Sequence, residues 1–210
     1  ALLRVPAGQL LFANGCERVR GFVGNRPFVM PRIIIVGTSG AGKSVLGKQA
    51  AERLGVPFID LDALFWLPNW MQVADEVFRE RVQNALHPPH WVAAGNYSRA
   101  RDLIWQRATQ VVWLDYPLWL TQWRLFKRTV RRVVTQEDLW QTGNRESWRT
   151  QFFSRQSILL WAIQAHGRYR KRYVEVLQAP EYKHLAVLRF RRPSEASRWL
   201  QQLSIKEKEL

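Results

Sequence analysis

The run Ile33-Ile34-Ile35-Val36 is followed directly by Gly37-Thr38-Ser39-Gly40-Ala41-Gly42-Lys43-Ser44. The first four residues are apolar and β-branched, which predicts a parallel strand buried on both faces. The next eight match the phosphate-binding pattern Gly-x-x-x-x-Gly-Lys-Ser, and helical spacing of apolar residues continues to about Leu54. A strand, a glycine-rich loop and a helix in this order predict a P-loop that binds the phosphates of ATP or a similar nucleoside triphosphate.

Each position of this loop has a chemical task. Glycines allow backbone angles that turn successive N–H groups towards phosphate oxygens, and the start of the following helix adds a positive dipole end. Lys43 is expected to neutralise the β- and γ-phosphates, and the Ser44 hydroxyl is expected to hold Mg²⁺. We expect the nucleotide to contact every residue of the loop: Gly37, Thr38, Ser39, Gly40, Ala41, Gly42, Lys43 and Ser44.

Short apolar runs alternate with helical patterns along the rest of the chain. They predict strands at residues 57–60, 91–94, 111–115 and 185–190, and helices at 78–86, 98–107, 117–134, 157–177 and 193–203. Ser98 is expected to cap its helix, and Pro117 to lie in the first turn of the next. This alternation indicates an α/β fold of the P-loop nucleoside-triphosphate-hydrolase type, with a five-stranded parallel sheet and helices on both faces.

The chain is interpreted as one P-loop domain over residues 30–205, with a small lid at about 135–150 around the turn signal Gly143-Asn144. Residues 1–29 are rich in Gly, Arg and Val without a clear period. We predict that they form a poorly ordered arm, or that the natural start is Met30.

Composition limits the class of protein. The formal net charge is +15 and the sequence pI is about 11.0, which favours anionic partners such as nucleotides, nucleic acid or an anionic membrane surface. The single cysteine, Cys16, excludes an intrachain disulfide and favours a reducing, cytoplasmic setting. No apolar run approaches the roughly 18 residues of a membrane span. The sequence does not give the oligomeric state.

Polar residues at the predicted carboxyl ends of the strands are candidates for binding a second substrate, because ligands of open α/β sheets lie there. The candidates are Asp60, Asp62, Asn96, Tyr97 and Arg101, and Trp66 is a further candidate because it is aromatic. Asp62 could orient Mg²⁺ or accept a proton from a substrate hydroxyl, although either aspartate could instead cap the next helix. Trp66 could stack on a substrate or belong to the core. Asp115 could be a cap or a site residue.

Arginines recur at helical spacing after the fourth predicted strand. Arg124 and Arg128 are four residues apart and share a helix face, and Arg131 or Arg132 continues the pattern. Such arginines could clamp phosphates and stabilise charge on a transferring phosphoryl group. The alternative is a solvated basic face.

Several segments resemble the adenylate-kinase-like P-loop proteins known as DNA topology modulation proteins. Beside the P-loop, they are Ile59-Asp60-Leu61-Asp62-Ala63-Leu64-Phe65-Trp66, Gly95-Asn96-Tyr97 and Trp113-Leu114-Asp115-Tyr116-Pro117. The resemblance implies sheet order 2-3-1-4-5, ATP and Mg²⁺, and a lid flanked by arginines. In that pattern Arg124 and Arg128 are lid-side arginines, and Asp62 is the acceptor-side carboxylate. Relatives commonly carry Asp directly before Gly-Asn-Tyr, where this chain has Ala94.

Together these observations predict an ATP-dependent phosphotransferase that acts on an unidentified nucleotide or other small molecule. Lys43, Asp62, Arg124 and Arg128 are its expected catalytic residues, and Ser44 and Asp62 its expected metal ligands. The alternative is an ATP-binding regulator associated with nucleic acid, with little or no kinase activity.

Overall fold

The computed structural model describes residues 31–147 and 158–205, and its core is a sheet. The strands are β1 (Arg32–Gly37), β2 (Phe58–Asp60), β3 (Trp91–Ala94), β4 (Gln110–Leu114) and β5 (Ala186–Phe190). Their order is β2-β3-β1-β4-β5, and every neighbouring pair is parallel. The predicted fold class and the strand order implied by the resemblance are therefore confirmed.

Helices connect the strands. They are α1 (Lys43–Leu54), α2 (Leu61–Phe65), α3 (Asp75–Ala85), α4 (Arg101–Arg107), α5 (Leu118–Thr135), α6 (Ile158–Gln178) and α7 (Pro193–Ile205). The expected cap at Ser98 is wrong. Residues Ser98–Ala100 form a 3-10 turn, with Ala100 fully buried, and α4 begins only at Arg101 without a side-chain cap from any described residue.

The two faces of β1 belong to two separate hydrophobic clusters. Ile34 and Val36 pack with residues of α3, α4 and α6, while Ile33 and Ile35 pack with residues of α1 and α7. Alternating side chains of a strand point to opposite faces, so helices cover both sides of the sheet. This explains why the run Ile33 to Val36 is apolar throughout.

Some predictions concern segments outside the described residues. They are the N-terminal arm at 1–29, the start at Met30 and the end of the lid at 148–150. Across the two described ranges, no helix has both the length and the apolar composition needed to cross a bilayer.

Candidate active site

The loop between β1 and α1 has the shape of a phosphate cradle. Gly40 and Gly42 have φ angles of 81° and 91°, in the region that favours glycine, and the N–H of Ala41 donates to the Thr38 carbonyl at 3.1 Å. No described side chain caps the N-terminus of α1. Its first N–H groups and its dipole are therefore available to an anion.

Close packing of α5 against the loop makes Gly40 necessary. A Cβ atom at Gly40 would lie 2.2 Å from the carbonyl oxygen of Thr121 on α5. The same packing places Arg124 beside the loop, because its Nη1 lies 3.9 Å from the position of a Cβ on Gly42. The guanidinium of Arg124 also lies over the Tyr116 ring, 5.5 Å from the centroid. The predicted arginine helix thus borders the phosphate loop.

Lys43 is enclosed at the centre of this site. Its Nζ donates to the Thr38 carbonyl at 3.2 Å. Burial of the ammonium group lowers the pKa of Lys43 to about 8, an effect opposed by the Asp62 carboxylate and reinforced by Arg128. The structure therefore brings three predicted catalytic residues, Lys43, Asp62 and Arg128, within electrostatic reach of one another.

Asp60 and Asp62 lie at the end of β2 and the start of α2. The backbone N–H of Asp62 donates to Asp60 Oδ1 at 3.1 Å, so Asp60 caps α2, as one of the two sequence interpretations proposed. Burial, and then the neighbouring Asp62, raises the pKa of the Asp60 carboxyl. Two carboxylates in this arrangement produce a site that favours a cation.

Tyr97 fixes the orientation of Asp62. Its hydroxyl donates to Asp62 Oδ1 at 2.6 Å. Burial, and then the charge of Asp62, raises the pKa of Tyr97, so the hydroxyl stays protonated and remains a donor. One oxygen of Asp62 is thereby held by the protein, which leaves the other for a bound molecule.

Asn96 uses its amide to hold the phosphate loop. Its Oδ1 accepts from the Gly37 N–H at 3.2 Å, and its Nδ2 donates to the Gly37 carbonyl at 2.6 Å. Tyr173 on α6 also donates its hydroxyl to Asn96 Oδ1, at 2.9 Å. These bonds assign Asn96 a role in loop support, while its contact with substrate stays a prediction.

The two remaining acceptor candidates are Arg101 and Trp66. Arg101 lines a small cavity together with Tyr97, and its guanidinium lies 5.5 Å from the centroid of the Trp105 ring. Burial lowers the pKa of Arg101. Trp66 contacts Phe65 edge to face, with ring centroids 5.1 Å apart. It packs against the core cluster while staying partly exposed, so both sequence interpretations of Trp66 remain open.

Arg128 is partly buried, and its Nε is shielded from solvent, which argues against a fully solvated position for this arginine. Its catalytic role stays a prediction. Burial and repulsion from Arg132 lower the pKa of Arg128, whereas Glu146 and Asp62 oppose the shift. Within the described part of the chain, its Nε has no hydrogen-bond partner. A buried guanidinium with an unused donor suits an anionic ligand.

Asp115 belongs to a buried ion-pair cluster. Its Oδ2 accepts from Arg189 Nε at 2.9 Å and lies 3.1 Å from Arg170 Nη2. Pro117 occupies the cap position of α5, and no described side chain caps that helix. The interpretation of Asp115 as a helix cap is wrong, because this carboxylate neutralises two arginines that come from β5 and α6.

Two residues of the site, Glu146 and Tyr173, were not predicted from the sequence. Glu146 is 3% exposed and pairs with Arg132 at 3.2 Å, which completes the charge environment of Arg128. Each partner lies many residues away, so local spacing carries no signal for the contact. The turn signal at Gly143-Asn144, in contrast, marked the segment that brings Glu146 to α5.

The residues available to Mg²⁺ are the Ser44 hydroxyl and the carboxylates of Asp60 and Asp62. Among the described residues, no group of three or more His, Cys, Asp or Glu side chains could hold a metal ion. A Mg²⁺ ion bound with nucleotide needs only one or two protein oxygens, because phosphates and waters supply the rest. Ala94 pairs with Asp60 in the β2–β3 register, so Asp60 stands beside the position where the resemblance expects an acidic residue.

Comparison with known proteins shows sequence similarity to one enzyme family. A sequence model of shikimate kinase matches residues 39–171. The chain is 30% identical over 146 residues to a shikimate kinase of Rhizobium meliloti, covering 62% of this chain and 73% of the relative. It is 34% identical over 116 residues to a shikimate kinase of Paramagnetospirillum magneticum, covering 48% of this chain and 57% of that relative.

Solved structures also show similarity at lower identity. A shikimate kinase from Acinetobacter baumannii in complex with shikimate aligns with a TM-score of 0.48 and 19% identity, covering 86% of this chain and 94% of that one. A gluconokinase from Sinorhizobium meliloti aligns with a TM-score of 0.43 and 18% identity, covering 87% and 98%.

The matching family differs from the one that the sequence resemblance suggested, although both belong to the same class of P-loop proteins. It supports the adenylate-kinase-like P-loop class, and it does not show the narrower DNA topology modulation family. The shikimate kinase sequence model covers well over half of this chain. The matched residues include most of the phosphate loop, Asp60, Asp62 and helix α5. The chain belongs to the shikimate kinase family and is a P-loop kinase that transfers a phosphoryl group from ATP.

Proposed function

We propose that this kinase phosphorylates a hydroxyl group of a small polyhydroxylated carboxylic acid, with shikimate as the first candidate. The observation that carries the proposal is the arrangement of Asp62, which is oriented by Tyr97 and lies within electrostatic reach of Lys43 and Arg128. A carboxylate next to two cations can hold a hydroxyl while the cations hold anionic groups. Two relatives that align with 62% and 48% of this chain are named as shikimate kinases.

The reaction follows from these positions. The acceptor hydroxyl oxygen bonds to the γ-phosphorus of ATP as the bond between this phosphorus and the β–γ bridging oxygen breaks, which releases ADP. Asp62 orients the hydroxyl and takes its proton, which then passes to solvent. Lys43 and the N–H groups of the loop hold the β- and γ-phosphates, and Arg124 borders them from α5. Positioning and charge neutralisation supply most of the catalysis in such transfers.

Arg128 gives the site a preference for an acidic acceptor. Its guanidinium lies within electrostatic reach of Asp62, and its buried Nε has no hydrogen-bond partner among the described residues. An acceptor carboxylate bound there would be fixed while its hydroxyl meets Asp62. A neutral polyol would leave this cation unpaired, which disfavours its binding.

Mg²⁺ fits the oxygen donors of this edge of the sheet. We propose that Ser44 holds the ion, with Asp60 or Asp62 contributing a carboxylate directly or through water. When bound, Mg²⁺ supplies positive charge to the phosphates.

The segment that follows α5 is proposed to be the lid. Residues 136–147 bring Glu146 into a salt bridge with Arg132 and within electrostatic reach of Arg128, which supports closure of this segment over the acceptor end of the site. A lid of this kind excludes water, and so favours transfer to the acceptor over hydrolysis of ATP.

A direct assay tests the acceptor class. The full-length chain is incubated with ATP, Mg²⁺ and a panel that includes shikimate, gluconate, neutral polyols and nucleoside monophosphates, and both ADP and the phosphorylated product are measured. Transfer to acidic polyols, and weak or no transfer to neutral ones, is the expected result. Transfer to nucleoside monophosphates alone would contradict the proposal.

Asp62→Asn tests the role of the carboxylate with little change in shape. We expect kcat to fall about 100- to 10,000-fold, as for loss of a general base. Asp75→Asn is the matched control, because Asp75 is an exposed aspartate that pairs with Arg99. Equal kcat values for Asp62→Asn and wild type would refute the assignment.

The alternative of a nucleic-acid-associated regulator rests on the net charge of +15, and the comparisons give it no support. Titration of DNA into the protein at several salt concentrations checks it. Tight, salt-sensitive DNA binding together with failure to phosphorylate any member of the panel would favour this alternative.

A further inference from the structure

The segment after α5 folds into a compact turn. The N–H of Leu139 donates to the Asn144 carbonyl at 3.0 Å, and the N–H of Gly143 donates to Asp138 Oδ1 at 2.8 Å. The Thr142 hydroxyl donates to the Leu139 carbonyl at 2.7 Å. The turn predicted at Gly143-Asn144 is thus confirmed, and its own hydrogen bonds hold it together.

The side chain of Asn144 leaves this turn and binds a distant loop. Its Oδ1 accepts from the Trp70 N–H at 2.9 Å, and its Nδ2 donates to the Leu67 carbonyl at 2.8 Å. The residue is 2% exposed. The Asn144 amide binds one main-chain segment through both its donor and its acceptor. Both hydrogen bonds can form only when that segment has the matching backbone conformation.

The loop bound by Asn144 is a direct continuation of the acceptor side of the site. The N–H of Trp66 donates to the Asp62 carbonyl at 3.1 Å, and Leu67 follows at once. On the other side of the contact, Glu146 pairs with Arg132, next to Arg128. Asn144 therefore connects the segment that carries Asp62 with the helix that carries Arg128.

Unusual backbone angles lie on both sides of this contact. Asn69 and Trp70 have φ angles of 60° and 56°, and Trp140 and Gln141 both have 58°. The rings of Trp70 and Trp140 meet edge to face with centroids 6.1 Å apart. Left-handed angles at non-glycine residues persist where the surroundings hold them, and they are typical of segments that change conformation.

We propose that Asn144 is a positioning residue that couples lid closure to the geometry of the acceptor site. When the Asn144 amide binds the backbone of Leu67 and Trp70, the lid and the loop that contains these two residues adopt their left-handed angles together. Asp62 and Arg128 are then positioned to bind the same acceptor molecule. This inference rests on the proposed function, because it assigns the lid to phosphoryl transfer.

Hydrogen exchange tests the contact without any need for an acceptor. In Asn144→Ala we expect the amides of residues 66–72 and of residues 136–146 to exchange about tenfold faster than in wild type, since both segments lose a buried partner. Asp138→Ala is the matched control. It removes a hydrogen bond inside the turn, so only residues 136–146 should respond. Acceleration confined to residues 136–146 in Asn144→Ala would overturn the coupling.

Kinetics tests the consequence for catalysis. With the acceptor found in the panel, we expect Asn144→Ala to lower kcat/KM for the acceptor about tenfold, to raise the ratio of ATP hydrolysis to transfer, and to leave the KM for ATP unchanged. Asp138→Ala should change these values less than about twofold. An unchanged ratio of ATP hydrolysis to phosphoryl transfer in Asn144→Ala overturns the inference. An inactive wild-type protein overturns the proposed function, and the hydrogen-exchange result alone then tests whether Asn144 couples the two segments.

Discussion

The buried ammonium group of Lys43 predicts that ATP affinity falls at alkaline pH. Burial lowers the pKa of Lys43 to about 8 in the free protein, so roughly nine-tenths of the molecules carry the charge at pH 7 and roughly one-tenth at pH 9. If only the charged form binds the β- and γ-phosphates well, the dissociation constant of ATP rises about tenfold between these pH values.

The stability of the free protein should change in the opposite direction. The folded pKa of about 8 lies below the ordinary value of 10.5, so folding disfavours the charged form by about 3 kcal/mol below pH 8. This destabilisation is relieved as pH rises from 8 towards 10.5. Removal of the ammonium in Lys43→Met should therefore stabilise the free protein most at pH 7, and by about 1.4 kcal/mol less at pH 9.

Calorimetric titration with a non-hydrolysable ATP analogue at pH 7, 8 and 9 measures the affinity, and chemical denaturation at the same pH values measures the stability. Lys43→Arg is the matched control, since a guanidinium stays charged throughout this range. Its affinity should vary less than about twofold with pH. A wild-type affinity that does not change with pH, or one that changes equally in Lys43→Arg, would refute the reasoning.

Two further substitutions test the packing and charges that hold the site. Gly47→Ala on α1 should lower the free energy of unfolding by about 1–3 kcal/mol, because the new Cβ would lie 2.4 Å from Phe58 Cε2. Gly167→Ala on α6, where a Cβ meets no atom within 4 Å, is the control and should be neutral or stabilising by up to about 1 kcal/mol. Thermal melting of both variants measures the change in stability. Equal changes in Gly47→Ala and Gly167→Ala would contradict the argument. Asp115→Asn should cost about 3 kcal/mol, because it removes the charge of a carboxylate that pairs with Arg189 in a buried place. The exposed Asp75→Asn should change stability by less than about 0.5 kcal/mol, and a similar loss in both would mean that burial of the Asp115 pair is not the cause.

The sequence predicted the elements that local patterns determine. The run from Ile33 to Val36 is apolar because both of its faces are buried, and this burial is visible in the letters themselves. The glycine spacing of the loop is likewise local, since Gly40 and Gly42 need φ angles that other residues rarely adopt. For such features, the pattern and the structure have the same physical origin.

Contacts between residues that are far apart in the chain could not be predicted from the sequence. Asp115 looked like a cap because it precedes Tyr116-Pro117, yet its arginine partners are 55 and 74 residues further along the chain. Asn144 was recognised as a turn residue, but its amide binds the backbone of a loop 74 residues earlier. Periodicity reports which face a residue occupies, and it cannot report which remote segment meets that face.

The register of the sheet has a consequence for how relatives of this chain can diverge. Asp60 on β2 stands level with Ala94 on β3, so an acidic group at this edge can be supplied from either strand. An acidic residue can therefore move between neighbouring strands while the negative charge keeps its position along the sheet register. Aligned columns of sequence would record this as the loss of one essential residue, whereas in space the charge has shifted by only one strand.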